Sequence, residues 1–381
     1  DVLRSIPGLY VSDDRNYSYV GARGFSRPGD YNSRVLLLVD GYRLNESIYD
    51  GALIGTEFIL DVDLIERVEF APGPGSAIYG SNAFFGVINV ITRKGRNMNG
   101  TELAVSAASY QTGSARVSHG QRTANGLEML LSASAYGSNG QNLYYPEYDS
   151  PASNNGIAEN LDGDRNQQFF GKIAYRDWSF ETGYASRTKD IPTASYSQVF
   201  NQPGAHTTDK QFFTNLRYET TLTPTFDLQA SASYGRYTYD GQYMYGTANR
   251  DHSLGDWWST ELRLLSRAFS GHKLLVGGEY RHDMHRDQEN FDVSPYFVYL
   301  HDNRTKRAYA LYVQDEWAVT ASTLVNFGVR HDGSDTDESS TNPRLALIQK
   351  FGAGTTGKLL YGSAFRSPNV YEKYYVTDVG A

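Results

Sequence analysis

Four tyrosines, Tyr17, Tyr19, Tyr31 and Tyr49, surround short polar stretches near the start of the chain that also hold Arg27, Asp30, Asn45 and Asp50. Rings beside a few polar groups are the material of a ligand platform: the rings supply contact area and the polar groups fix orientation. The same residues also suit ordinary solvated loops in a tyrosine-rich chain, and composition does not separate the two. The stretch GPGSAIYG at 73–80 raises phosphate binding. It lacks the Gly-Lys-Ser/Thr of a P-loop and the third glycine of the dinucleotide fingerprint, so it reads as a turn that lets backbone approach closely. His282 and His285 lie three apart in an alternating stretch, which predicts opposite faces and no shared metal ion. The acidic stretch 332–338 has no EF-hand spacing and reads as a solvated loop. No Ser-His-Asp set follows from spacing, and no serine sits in G-x-S-x-G, so no enzyme is expected.

These residues sit in a chain of 381 with 40% hydrophobic and 14% aromatic content, including 30 tyrosines and 37 glycines. The apolar runs are short, such as the five residues at 35–39, far below the ~20 that a membrane-spanning helix needs. Negative mean hydropathy does not exclude the membrane, because barrel strands alternate lipid-facing with lumen-facing residues and average out as polar. A net charge of −8 without a basic tract argues against nucleic acid as a partner. The absence of cysteine excludes disulfides, thiolate metal sites and a cysteine nucleophile. The opening DVLRSIPG has no signal-peptide pattern and the chain stops in a loop, which suggests a mature fragment.

The elements fall into two halves. From 1 to 96 the pattern is mixed: a helix end at 1–6, short strands at 19–25 and 34–39, and an Asp40-Gly41 hairpin turn returning through 42–44. Strands at 65–70 and 87–92 complete a small mixed sheet, and this half has no histidine. From 97 to 381 nearly everything alternates. Phe226, Leu228, Ala230, Ala232 and Tyr234 are apolar, and their neighbours Asp227, Gln229, Ser231 and Ser233 are polar. Strict period two means one wet and one dry face; on the same count Phe327 faces lipid and Asn326 the lumen. About thirteen such strands of roughly ten residues are predicted, the length that crosses a bilayer when tilted. Short turns near 124–126, 177, 223–224, 270–271, 321 and 354 alternate with long polar stretches at 138–164, 188–208, 241–253 and 286–304 and a shorter one at 333–340; a tight turn at 110–113 falls on the long-loop rim. Short turns on one rim and long loops on the other mark an outer-membrane barrel. Tyr144, Tyr145, Tyr148, Tyr237, Tyr239, Tyr243 and Tyr245 cluster where strands meet loops and are expected to form its interfacial aromatic girdle, with ligand contacts as the alternative.

At this point the chain resembles the TonB-dependent outer-membrane receptors. The resemblance is carried by DVLRSIPGLYV at 1, GARGF at 21, RVLLLVDGYRLN at 34 and the whole of 64–95, supported by NPRLALI at 342 and AFRSPNVYEKYY at 364. It implies a mixed fold: a small α/β plug domain at 1–96, then antiparallel transmembrane strands at 97–381 belonging to a barrel of about 22 strands. It implies an energy-coupled importer in the Gram-negative outer membrane, surrounded by its lipid, driven by the TonB–ExbB–ExbD complex and without a resident cofactor or metal. The cargo class is a ferric siderophore or a similar scarce chelate such as cobalamin. Haem receptors of the family use a plug histidine, which this plug lacks. The alternative is a passive plugged pore or surface-binding barrel without TonB coupling.

The resemblance turns the loops near 27–31 and 45–51 outward, so Arg27, Asp30, Tyr31, Asn45, Tyr49 and Asp50 become the expected ligand contacts. It makes Arg23, Glu66 and Glu69 the expected plug–barrel contacts. The family pairs two plug arginines with barrel glutamates; here Arg23 matches one, while Pro72 of Pro72-Gly73-Pro74 replaces the other. Glu261, Glu279 and Glu316 are the lumen-facing candidates for the partner. Phe85, where the family tends to have glycine, places a ring in the turn before the last plug strand.

Overall fold

The computed structural model describes residues 2–26, 29–352 and 354–377. A hairpin of β1 (Leu9–Asp13) and β2 (Ser18–Ala22) precedes the plug sheet. The next strand, β3 (Val35–Val39), is apolar throughout and buries all five side chains, as a strand covered on both faces must. Asp40 and Gly41 both take positive φ, 47° and 86°, the turn whose twist matches a tight hairpin, and lead into β4 (Tyr42–Arg43). With β5 (Ile65–Pro72) and β6 (Gly86–Thr92) they form a sheet ordered β4-β3-β6-β5, in which β3 and β6 run parallel.

The 73–80 segment contains a one-turn helix, α1 (Ser76–Tyr79). Gly80 ends it at φ 73°, and a Cβ there would fall 2.7 Å from the Arg330 guanidinium. Close approach of the barrel wall therefore explains this glycine. A second short helix, α2 (Gly95–Met98), leaves the plug; a Cβ on Gly95 would lie 1.9 Å from the carbonyl oxygen of Met129. The joint between the halves is seated directly on wall backbone.

The wall follows as β7 (Gly100–Ala108), β8 (Thr112–Arg122) and β9 (Glu128–Ser138), with a small loop hairpin of β10 (Leu143–Tyr144) and β11 (Ile157–Ala158). It continues through β12 (Asp164–Tyr175), β13 (Trp178–Asp190), β14 (His206–Thr223), β15 (Phe226–Met244), β16 (Ala248–Ser266) and β17 (His272–Val293). After the short β18 (Tyr296–Asp302) come β19 (Lys306–Ala318), β20 (Thr323–Ser334), β21 (Ser340–Phe351) and β22 (Thr355–Gly362). Thirteen of these pair antiparallel in chain order from β7 to β22, and β18 pairs only with β17. β7 and β22 are not paired with each other, and a bilayer does not tolerate open strand edges. The wall is therefore part of a barrel.

Two stretches read as loops are strand. β15 and β16 pair as far as Met244 and Ala248, so 241–253 is a hairpin tip, and 286–304 is the paired end of β17 with β18. These strands, up to 22 residues long in β17, exceed the expected ten or so. Beyond the lipid both faces of a strand are polar, so alternation fades and the sequence looks like loop.

A second difference concerns the histidines. The β16–β17 register shifts between Asp256 and Trp257, which pair with His285 and Asp283 and leave Met284 as the extra residue. A bulge flips every later side chain to the other face, so the inward positions pass from Asp283 to Arg286, Gln288 and Asn290, all buried. His282 and His285 therefore share the outward face instead of opposing. No cluster of metal-ligating groups forms among the described residues.

Alternation holds along β20: Phe327 and Val329 are exposed outward, while Asn326 is half-buried opposite Glu316. Val329 pairs with Val313, midway between the outward rings of Tyr309 and Trp317. In the full-length protein Val329→Arg is expected to cost ~2–4 kcal/mol, the midplane penalty for a lipid-facing arginine. Asn326→Arg can pair with Glu316 and is expected to be tolerated. Urea titrations in lipid bilayers check this; equal effects at the two positions would contradict the register.

The plug core does not stop at the plug. Val35, Leu37, Val39, Ile59 and Ile88 join the wall's Leu130, Phe170 and Phe213 in one buried cluster. Tyr42 stacks on Phe213 with ring centroids 4.7 Å apart. Each such side chain contributes about 1.5–3 kcal/mol when fully buried, so docking onto the wall is a continuation of plug folding.

Candidate functional site

Two plug loops form the apical surface, and a buried polar side chain shapes each. Asn32, at φ 62°, accepts the Val20 N–H at 2.8 Å and donates to the carbonyls of Ser18 and Ala52 at 2.9 and 3.0 Å. This sets the direction of Tyr31 beside it. In the second loop Asn45 accepts the Leu37 N–H at 2.9 Å and donates to Val35 and Asp50 carbonyls at 3.1 and 2.8 Å. The Glu46 carboxylate receives backbone N–H groups of Ile48, Tyr49 and Gly51 at 2.5, 3.1 and 2.6 Å. Burial pushes Glu46 up to about 7, against the pull of those three donors. The result is a tight 46–51 loop that presents Tyr49.

Tyr31 and Tyr49 lie 5.0 Å apart between ring centroids and form the floor of a cavity of about 550 Å³. Its sides come from elsewhere in the chain. Tyr239, Tyr243 and Tyr245 stand at the end of β15, Asp251 on β16, Asn290 and Asp292 on β17, and Tyr196 in the β13–β14 loop. The Tyr31 and Tyr196 hydroxyls meet at 3.1 Å, and the Tyr49 hydroxyl reaches Ser253 Oγ at 3.4 Å. A third short helix, α3 (Val370–Tyr374), starts with a capping box between Asn369 and Glu372. Asn369 donates to the Tyr49 carbonyl at 2.8 Å, which lays Tyr371 5.1 Å from the Tyr49 ring and brings Tyr375 into the cavity.

The expected ligand contacts therefore divide. Tyr31 and Tyr49 line the cavity. Asn45 is a buried strut, and Asp30 forms an ion pair with Arg34. Asp50 faces a separate polar cleft of about 110 Å³ with Arg281, Arg286 and Lys306, where burial raises its pKa. Arg27 lies outside the described residues.

The girdle reading of the β15 tyrosines also needs correction. Tyr237 and Tyr239 are buried against the plug at 2 and 6% exposure, and Tyr243 is buried at 7% against Ile191 and Ala205 of the β13–β14 loop. The alternation that turns Tyr234 toward lipid turns odd-numbered residues of β15 inward, so the signal was present in the strand's own register. Tyr371 and Tyr375 had no such local signal, because a loop more than three hundred residues from Tyr49 delivers them.

The plug–wall contacts are also differently built from those expected. Arg23 is exposed at φ 52°, and Glu66 and Glu69 both pair with Arg67 on their own strand. Among the described residues none of the three forms an ion pair with the wall. The wall instead reaches in with its own cations. Lys172 meets Asp40 at 2.8 Å and Glu181 at 3.1 Å, and Arg116 meets Asp63 at 2.9 Å. Arg187 donates to the Asn16 carbonyl at 2.7 Å and faces Glu57 and Asp164 at 3.7 and 3.3 Å. Of the glutamates considered as partners, Glu279 does face the plug. It pairs with Arg330 at 2.8 Å, in a cleft that Arg43 of β4 also lines. The acidic stretch 332–338 is tied down by cations, with Asp332 on Arg330 and Asp337 on Lys306 and Lys373. Phe85 fits its turn by stacking on Phe25 at 6.2 Å.

Comparison with known proteins agrees with this architecture. Residues 1–87 match the family model of the TonB-dependent receptor plug domain, and residues 149–380 match that of the TonB dependent receptor-like beta-barrel. A vitamin B12 transporter of Vibrio vulnificus is 28% identical over 337 residues, covering 76% of this chain and 52% of that protein. The FrpB iron transporter of Neisseria meningitidis has a TM-score of 0.74 at 17% identity, covering 97% of this chain and 62% of that one. A ferric enterobactin receptor variant from Pseudomonas aeruginosa has a TM-score of 0.70 at 17% identity, covering 97% and 59%. The chain spans about half the length of the curated relative and about three fifths of the solved structures.

Proposed function

The chain belongs to the TonB-dependent receptor family of the outer membrane, and on that premise we propose that it is the plug and part of the barrel of an energy-coupled importer. The cargo class is a ferric siderophore or a comparable scarce chelate such as cobalamin, with the TonB–ExbB–ExbD complex as the energy source. One observation carries the reading. The plug supplies the floor of the tyrosine cavity and the wall supplies its sides, so a ligand held there touches the plug directly. The same plug is fixed at its base, where Asp40 of the β3–β4 turn accepts Lys172 from the wall. A ligand that shifts Tyr49 thus acts on the sheet that ends in this turn, the kind of connected two-state element that coupling between the two ends requires.

The test is uptake by cells making the full-length protein. Radiolabelled ferric siderophores and cobalamin are expected to accumulate in cells with TonB and not in cells without it. Equal accumulation in both would favour a passive plugged pore, and accumulation in neither would overturn import.

A further inference from the structure

Resting on the importer reading, we infer that the tyrosine cavity selects a cationic or neutral chelate that offers a hydrogen-bond donor to Asp251, and disfavours polyanionic chelates. Asp251 is the informative residue. Asp251 lines the cavity; its Oδ2 accepts the Tyr375 hydroxyl at 2.9 Å, while its Oδ1 is buried with no hydrogen-bond partner among the described residues. A buried carboxylate oxygen left open is a demand for a donor, because the lost hydration has nothing in the protein to replace it. The neighbouring carboxylate is already served: Asp292 accepts Tyr299 at 2.7 Å and Asn249 at 2.9 Å.

No lysine or arginine lines the cavity among the described residues, and the basic neighbour His252 is engaged with Asp240 at 2.8 Å. The two lining carboxylates, Asp251 and Asp292, oppose a polyanion, since like charges brought together in a confined site cost affinity. The rest of the lining is phenolic. Ring faces attract a cation, and hydroxyls hydrogen-bond either a cationic or a neutral chelate. A positively charged ligand group, an ammonium in the simplest case, would complete Asp251 with a charge-assisted bond and rest against Tyr rings at the same time.

Calorimetric titration of the intact full-length receptor at pH 7.5 tests this with three probes: ferrioxamine B, a cationic trihydroxamate; cyanocobalamin, which is neutral; and ferric enterobactin, a trianionic catecholate. At least one of the first two is expected to bind about tenfold or more tighter than the third. Asp251→Asn is expected to weaken ferrioxamine B about tenfold and to weaken it more than cyanocobalamin, with Asp251→Glu recovering part of the loss. Plug proteolysis and circular dichroism identify any variant that fails to fold. Tightest binding of ferric enterobactin, binding of neither of the other two, or an unchanged ferrioxamine B affinity in Asp251→Asn would each overturn the inference. Import is read separately: TonB-dependent uptake of the anionic chelate would leave the importer standing and remove the charge preference.

Discussion

Arg187→Met is expected to destabilise plug docking by about 3–5 kcal/mol, the range for removing one partner of a buried ionic cluster. Arg187 is 3% exposed and reaches from β13 into the plug. It donates to the Asn16 carbonyl, faces Glu57 and Asp164, and lies 5.7 Å from the Tyr17 ring centroid. The Tyr17 hydroxyl in turn donates to Asp209 at 2.9 Å, and Tyr237 donates to the other oxygen of Asp209 at 2.7 Å. Without the guanidinium, Glu57, Asp164 and Asp209 would face one another with no cation between them. The cost comes mainly from that stranded negative charge, because a buried ion pair adds little net stability while intact. Neutralising Glu57 and Asp164 as well should therefore recover part of the loss.

Residues 1–381 contain no cysteine, so Glu69→Cys on the exposed face of β5, with any cysteine elsewhere in the full-length protein replaced, gives a single spin-label site in the plug. Urea titration of the labelled full-length receptor reads plug release directly. The surface pair Arg67–Glu66, which the label leaves in place, sets the comparison, since exposed ion pairs contribute ~0–1 kcal/mol. If Arg187→Met shifts the midpoint no more than Arg67→Met does, the account of the junction fails.

Glu46→Ala is expected to collapse the 46–51 loop and to lower ligand affinity about a hundredfold. Three backbone N–H groups lose their acceptor where water does not reach, with Ile48 0% and Tyr49 7% exposed. Each orphaned donor costs about 1–3 kcal/mol, more in sum than an apical loop can absorb without rearranging. Tyr49 then leaves the cavity floor, together with its contacts to Tyr31 and Tyr371. Glu46→Gln keeps one carbonyl oxygen and should fall between wild type and alanine.

The pH dependence adds a sign. Burial lifts Glu46 from the ordinary carboxylate range to about 7, so the folded loop holds a proton that the unfolded chain gives up. Its contribution to stability is full below about 4.5 and is lost as pH rises through about 7. Gln cannot titrate, so the gap in urea midpoint between wild type and Glu46→Gln should narrow from pH 5 to pH 8. A gap that widens over that range would contradict the assignment. Calorimetry with whichever probe the wild type binds reads the affinity loss; an alanine variant that binds as tightly as wild type would mean that the loop does not build the site.

What the sequence determined by itself was local and periodic. Alternation along β15 and β20, turn parity around the wall and the Asp40-Gly41 hairpin depend on neighbouring residues, so the sequence carries them openly. The inward turn of Tyr237, Tyr239 and Tyr243 was legible too, by continuing the count from Tyr234. The tertiary structure decided which surfaces meet. The bulge at Met284 reverses the faces of β17, and no pattern in that strand announces it, because it is set by pairing with β16. The rotation of the plug within the wall makes Asp40, Glu57 and Asp63 the plug's wall partners and leaves Arg23, Glu66 and Glu69 outside the junction. Likewise, Tyr371 and Tyr375 complete the cavity only because Asn369 bonds the Tyr49 carbonyl across 320 residues of chain. Contacts between elements so far apart in sequence depend on the packing of whole sheets, and short-range residue patterns carry almost no information about that packing.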